Sequence, residues 1–114
     1  MKAQEMLELL ERGGQQLQKE VPEHMEKFWS FAEKVKEEGN LSKREKALIA
    51  VATVAAKHCE VCIVRNLKDA IETGITKEEL AELCTIIMLV DGGPGFAHCT
   101  FLLEKYDELI EEQE

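Results

Sequence analysis

The stretch from Leu48 to Leu67 constrains this chain more than any other, because it joins two predicted helices through a pair of cysteines. Its first part, Leu48 to Ala56, is apolar on nearly every face, which is typical of a central buried helix. Its second part opens on Cys59-Glu60-Val61-Cys62, a spacing that lets two thiols at a helix start close a disulfide. The amides and the positive dipole end of a helix start also favour a thiolate over a thiol.

The remaining sequence is helical in pattern. Because no segment alternates apolar and polar residues as a strand does, we predict one all-α domain over residues 1–114, a bundle of about six helices. Capping boxes at Ser42–Glu45 and Thr76–Glu79 predict the starts of the third and fifth helices. The first helix is predicted over residues 2–19, weakened at Gly13-Gly14, and the second begins at Pro22 and is capped at Gly39. The fourth runs from near Cys59 to Gly74. A turn at Asp91–Gly95 then precedes a sixth helix from about Phe96 to Glu111.

Aliphatic side chains must build most of the core, since the chain has only four Phe, one Trp and one Tyr. The helical period predicts that the second helix buries Met25, Phe28, Trp29, Ala32 and Val35, and the fifth Leu80, Leu83, Ile86, Ile87 and Val90. A chain of 114 residues has limited buried area of its own, so assembly with further copies is expected. We expect the first 40 residues to pack at an interface through Phe28, Trp29 and Phe31.

Charge narrows the classes of partner. With 23 acidic and 14 basic residues the formal charge is −9, which argues against nucleic acid or an anionic membrane. No apolar run approaches the length that spans a bilayer, and the opening residues lack the apolar core of an export signal. A cytoplasmic location is therefore expected. Four cysteines in such a chain favour redox or metal chemistry over structural disulfides.

Three interpretations of Cys59 and Cys62 are open from the residues alone. A redox dithiol needs an attacking thiolate, a second thiol that resolves the intermediate and a group that handles protons. Alternatively, the two cysteines are small apolar residues that only pack. A zinc site would need two more ligands, and the chain has no second C-x-x-C or H-x-x-x-H. The spacing favours the redox dithiol, without a metal.

Two histidines are candidates for proton handling. His58 directly precedes Cys59, although adjacent helical residues point about a hundred degrees apart and the ring could equally face solvent. His98 lies on an apolar helix start, where a hydrogen-bonded core histidine is the simpler interpretation. Cys84 is interpreted as a packed core thiol, Cys99 is left open between packing and chemistry, and His24 is read as a surface residue.

The segment from Leu41 to about Leu109 resembles the carboxymuconolactone decarboxylase family, and within it the AhpD-like alkylhydroperoxidase branch. The resemblance depends on features in the same order: the Leu41-Ser42-Lys43-Arg44 opening, the run Leu48-Ile49-Ala50-Val51-Ala52, the Cys59-Glu60-Val61-Cys62-Ile63 motif, Ala70 with Gly74-Ile75-Thr76 and Glu78-Glu79-Leu80, and the Gly92-Gly93-Pro94 turn. These cover about the last two-thirds of the chain.

The resemblance implies an all-helical subunit that assembles as a homo-trimer or homo-hexamer. It also implies that Cys59 and Cys62 act in the reduction of a small hydroperoxide or disulfide. The electron donor would be a dithiol protein or a small thiol, and neither a cofactor nor a metal is called for.

Two positions depart from the peroxidase branch. That branch has a histidine four residues after the second cysteine and a glutamate a dozen residues before the first, where this chain has Asn66 and Ala47. Neither exchanges a proton near pH 7. Either His58, His98 or Glu60 replaces them, or the chain does different chemistry. The alternatives are a non-catalytic redox-sensing module, and a decarboxylase-like enzyme that binds a small carboxylated substrate with basic groups such as Arg65.

Overall fold

A computed structural model describes residues 1–113, and within them the regular secondary structure is entirely helical, as predicted. Over this range the helices are α1 (Ala3–Glu20), α2 (Pro22–Lys36), α3 (Lys43–Ala56), α4 (Glu60–Glu72) and α5 (Lys77–Gln113). The helix α3 packs against both α4 and α5 and is therefore central to the fold.

Local sequence signals set most helix ends. Ser42 accepts the Glu45 amide at 3.0 Å and donates its own amide to the Glu45 carboxylate at 2.8 Å, so α3 begins at Lys43 as predicted. The helix α1 is continuous through Gly13-Gly14, because the cost of about 1 kcal/mol for each exposed helical glycine weakens a long helix without breaking it. The predicted cap at Gly39 was wrong, since α2 ends at Lys36 and its C-cap residue is Glu37.

The segment α5 consists of two arms that fold back on one another. Its backbone leaves helical geometry at Gly92, with φ 66° and ψ −141°. The Lys77 ammonium lies 2.9 Å from an Asp107 carboxylate oxygen thirty residues later, so the arm of residues 77–91 runs antiparallel to the arm of residues 93–113. The predicted turn is therefore present, although five helices are counted in residues 1–113 where about six were expected.

This segment also corrects one expectation about apolar length. It contains an 18-residue window of mean hydropathy 1.5, long and apolar enough by length and composition to cross a membrane, of which 22% is buried in the fold. By length and composition, the expectation that no apolar run approaches the length of a membrane span was therefore wrong. The apolar stretch runs through Gly92, where the chain reverses direction, and it therefore does not form one straight rod.

The core lies between α3, α4 and the two arms of α5, with the start of α1 against its edge. Its largest fully buried side chains are Val51, Ile63, Val64, Leu67, Leu80 and Leu102. The aliphatic core that the composition predicts is thus confirmed. Because the first turn of α4 starts beside this core, the cysteine pair is held on well-packed elements.

The predicted burial of α2 was wrong. No residue of that helix is buried, and Phe28, Trp29 and Val35 are about half exposed. On α5, Leu80 and Ile87 are buried as expected, whereas Ile86 and Val90 are exposed. Periodicity marks an apolar face correctly, but within residues 1–113 these side chains remain largely uncovered.

Candidate redox site

Cys59 and Cys62 are joined by a disulfide at the start of α4, with their Cα atoms 5.2 Å apart. Cys59 is the N-cap residue of that helix and Cys62 lies in its first turn. Both are half-buried, so their sulfur atoms sit between the core and solvent. A thiolate at an N-cap is close to the unpaired amides and the positive dipole end of the helix, which stabilise negative charge.

The connection before the pair is a tight helix C-terminus built around His58. The His58 amide donates to Ala55 O at 3.0 Å and the Cys59 amide to Val54 O at 3.2 Å, which is the hydrogen-bond pattern of a Schellman motif. His58 takes the left-handed position of that motif, with φ 59°. Glycine usually fills it, because a side chain there costs of order 1 kcal/mol.

The His58 ring reaches across to the turn of α5. Its Nε2 atom lies 2.6 Å from Asp91 Oδ2, and a carboxylate only accepts hydrogen bonds, so Nε2 carries the donated proton. The ring also stacks on His98, with centroids 4.4 Å apart and planes 14° from parallel. The two histidines proposed for proton handling therefore lie in one cluster next to the disulfide segment.

The ring of His98 is also held by a hydrogen bond. His98 Nδ1 lies 2.9 Å from Pro94 O, and because a carbonyl only accepts, Nδ1 donates there. His98 is half-buried and hydrogen-bonded, with its ring against His58 rather than deep in the core. His24 is exposed, as expected.

Asp91 is the member of this cluster that the sequence analysis missed, since it was read only as part of the turn. Gly95 helps to bring it into place. A Cβ atom at Gly95 would lie 3.0 Å from both Asp91 Cβ and Ile87 O, so the close approach at this turn favours a glycine. In the sequence, the only sign of this role was that Asp91 directly precedes the glycine-rich turn.

Cys84 and Cys99 lie elsewhere, buried on the two arms of α5. The Cys99 thiol points at Cys84 O, 3.7 Å from its sulfur. Burial, followed by the neighbouring Cys99, raises the pKa of the Cys84 thiol to about 12. Cys84 is thus a packed core thiol, as predicted, and Cys99 packs beside it.

Ala47 and Asn66 line an open cavity of about 760 Å³ between α2, α3 and α4. The cluster of His58, Asp91 and His98 is not part of that lining. Asn66 donates its side-chain amide to Cys62 O at 2.8 Å, so it supports the backbone of the cysteine turn. Arg65 pairs with Asp69 at 3.2 Å and is not in the cavity lining. Within residues 1–113, no three His, Cys, Asp or Glu side chains converge to hold a metal ion.

Fold and site together define a class: a small helical protein with a C-x-x-C disulfide at the start of the helix that follows the central one. Residues 22–105 match the model of the carboxymuconolactone decarboxylase family. Because this match covers well over half of the chain, the protein belongs to the carboxymuconolactone decarboxylase family.

Solved structures and curated proteins agree with this assignment. A carboxymuconolactone decarboxylase family protein from Legionella pneumophila, solved in its apo form, superposes with a TM-score of 0.89 at 30% identity, over 93% of this chain and 95% of that one. A family protein from Thermotoga maritima, for which a part in antioxidative response has been suggested, shares the fold with a TM-score of 0.82 at 20% identity, over 96% and 92% of the two chains. An uncharacterised protein from Cupriavidus necator is 32% identical over 77% of this chain and 78% of its own length.

Proposed function

We propose that this protein is an AhpD-like thiol–disulfide oxidoreductase that reduces small hydroperoxides through Cys59 and Cys62. The observation that carries the proposal is the Cys59–Cys62 disulfide at the N-terminus of α4. Family membership supports it, as does the antioxidative role suggested for the Thermotoga relative of the same fold. Glu and His at the family's relay positions are replaced by Ala47 and Asn66, so the proton transfers must use other groups.

The reaction balances with a dithiol as electron donor. One thiolate of the reduced pair attacks the peroxide, forming an S–O bond and breaking the O–O bond, and the departing alkoxide takes a proton to become an alcohol. The second thiol attacks the resulting sulfenic acid, which closes the disulfide and releases water. A dithiol protein or small dithiol then reduces the disulfide by exchange and becomes a disulfide itself.

The same proposal includes a cytoplasmic homo-oligomer. Its support is the apolar surface of the single chain: Phe31 is 67% exposed, Leu89 84% and Val90 77%. Large exposed apolar side chains of this kind favour burial against further copies. A reducing compartment would supply the thiol donor.

Peptide mass spectrometry tests the chemistry. The fully reduced protein is treated with tert-butyl hydroperoxide, and thiols are then trapped and mapped. We expect a Cys59–Cys62 disulfide, one alcohol released for each disulfide formed, and unmodified Cys84 and Cys99 as internal controls. Cys59→Ser and Cys62→Ser variants should each lose turnover with dithiothreitol as the donor. A wild-type pair that stays reduced, while the peroxide is not consumed, would overturn the proposal and favour packing cysteines.

A further inference from the structure

We propose that Asp91 is a positioning residue that holds His58 as the proton donor and acceptor for the Cys59–Cys62 pair. This assignment rests on the proposed redox function. It gives a role to an acid on the turn of α5 that is far from the cysteines in sequence and joined to their segment by a 2.6 Å contact.

The backbone of His58 is the first argument. Its φ of 59° places a bulky side chain where glycine would be less strained. Strain of this kind persists where the surroundings hold the residue in place, and it is concentrated at functional sites. Here the surroundings are the Asp91 carboxylate on one side of the ring and the His98 ring stacked on its face.

The choice of ring nitrogen is the second argument. Asp91 engages Nε2 of His58, so in the neutral ring Nδ1 is the nitrogen that can accept a proton. Nδ1 is the ring nitrogen nearer the main chain, and the next residue along that main chain is Cys59. Consecutive Cα atoms are about 3.8 Å apart, so His58 and Cys59 are backbone neighbours. The proposal places a direct or one-water proton transfer between Nδ1 and the Cys59 sulfur.

Charge is the third argument. The groups on α5 in contact with the His58 ring are the Asp91 carboxylate and the His98 ring, and its neighbours along the chain are Lys57, Cys59 and Glu60. A carboxylate hydrogen-bonded to one imidazole nitrogen fixes the tautomer and leaves the other nitrogen to exchange a proton. Its negative charge also compensates an imidazolium formed during that exchange.

The protons can then be followed through the cycle. When a donor thiolate attacks the disulfide, the S–S bond breaks and the leaving Cys thiolate takes a proton from protonated His58 Nδ1. When the reduced pair meets a hydroperoxide, neutral His58 accepts the thiol proton as the thiolate forms. Asp91 keeps its charge throughout and compensates the imidazolium, so no further reactant is needed beyond the dithiol and the peroxide.

The test compares Asp91→Asn with Asp107→Asn, the same substitution at an ion-paired aspartate on the same helix. We expect Asp91→Asn to slow reduction of the disulfide by dithiothreitol about tenfold to a hundredfold at neutral pH. Asp107→Asn should leave this rate unchanged.

A second variant and a spectroscopic measurement distinguish the proposed role of Asp91 from a purely structural effect of its substitution. Asn tolerates a positive φ and exchanges no proton near pH 7, so His58→Asn should slow reduction of the disulfide at least as much as Asp91→Asn. Nitrogen chemical shifts of His58 should report the Nε2–H tautomer in the oxidised wild type and a mixture in Asp91→Asn. If the reduction rate and the His58 tautomer are the same in Asp91→Asn as in a wild type that still cycles, this assignment alone is overturned. A wild-type pair that does not cycle would overturn the proposed function and this assignment together.

Discussion

The four cysteines lie in two different environments, and we expect their reactivity to differ accordingly. Cys59 and Cys62 are half-buried at a helix start, whereas Cys84 and Cys99 are almost fully buried between the two arms of α5. The thiolate is the reactive form of cysteine, and at pH 8 a thiol with a pKa of about 12 is almost entirely protonated.

We therefore predict that iodoacetamide at pH 8 alkylates the reduced Cys59–Cys62 pair in the folded protein and leaves Cys84 untouched. Peptide mass spectrometry measures the label at each position, and the same protein in guanidinium provides the control in which all four react. Labelling of Cys84 at the rate of the pair in the folded protein would contradict this account of its burial.

Glu108 anchors the start of α1 from within the second arm of α5. Its carboxylate accepts the Ala3 amide at 2.7 Å, and the Lys105 ammonium lies 3.1 Å from its other oxygen while also donating to Met1 O. Burial raises the pKa of Glu108, but the Ala3 amide and Lys105 together lower it by more, so the net shift is downward. A carboxylate of this kind stabilises the fold at pH values above its unfolded pKa, and that stabilisation is lost as the pH falls through the lower folded pKa.

Glu108→Gln should therefore lower the free energy of unfolding by about 3 kcal/mol at pH 7, because it leaves the Lys105 charge buried without its partner. Below the usual glutamate value of 4.5 the difference from wild type should shrink. Urea denaturation at several pH values measures it, with Glu104→Gln, an exposed position on the same arm, as the control. A difference that does not vary with pH would argue against this linkage.

At the scale of elements, the Gly92 turn determines where Asp91 lies. Its positive φ with an extended ψ is a conformation that residues with a side chain strongly disfavour. Gly93, the next residue, has no positive φ, and a Cβ there would meet nothing within 4 Å.

Gly92→Ala should thus destabilise the fold by about 1–3 kcal/mol, and Gly93→Ala should change stability by much less. Thermal unfolding followed by circular dichroism compares the two. Equal melting temperatures would mean that the turn does not depend on the conformation of Gly92.

These elements also mark what the sequence could and could not predict. The capping boxes at Ser42 and Thr76 act over three residues, so the pattern alone located those helix starts correctly. The contact of His58 with Asp91 spans 33 positions and depends on the folding back of α5, which no local pattern encodes. The burial predicted for α2 failed because periodicity identifies an apolar face and does not identify the surface that covers it.

At the scale of the whole molecule, a chain with a formal charge of −9 exposes large apolar side chains on α2 and on the first arm of α5. Charge repulsion keeps such chains apart unless apolar burial outweighs it. The open cavity beside Phe28 and Phe31 lies on the same side as the exposed face of α2, so that helix has room for a neighbour.

We predict that Phe31→Lys shifts sedimentation towards a smaller species without loss of helical content, because it places a charge in the apolar surface. Ser30→Lys adds the same charge at an adjacent exposed position and should leave the proposed homo-oligomer unchanged. The same sedimentation profile for wild type and Phe31→Lys would remove this face from the interface.

The central claim is that Cys59 and Cys62 form a redox-active pair, and one measurement tests it most directly. The ultraviolet absorbance of thiolates in the reduced protein is followed across pH, with Cys59→Ser and Cys62→Ser alongside, before and after a small dose of hydroperoxide. We expect one thiol of the pair to titrate well below the free cysteine value of about 8.5, and hydroperoxide to abolish its signal by forming the disulfide. If both thiols titrate at or above that value and survive the hydroperoxide, the pair is structural and the redox account is wrong.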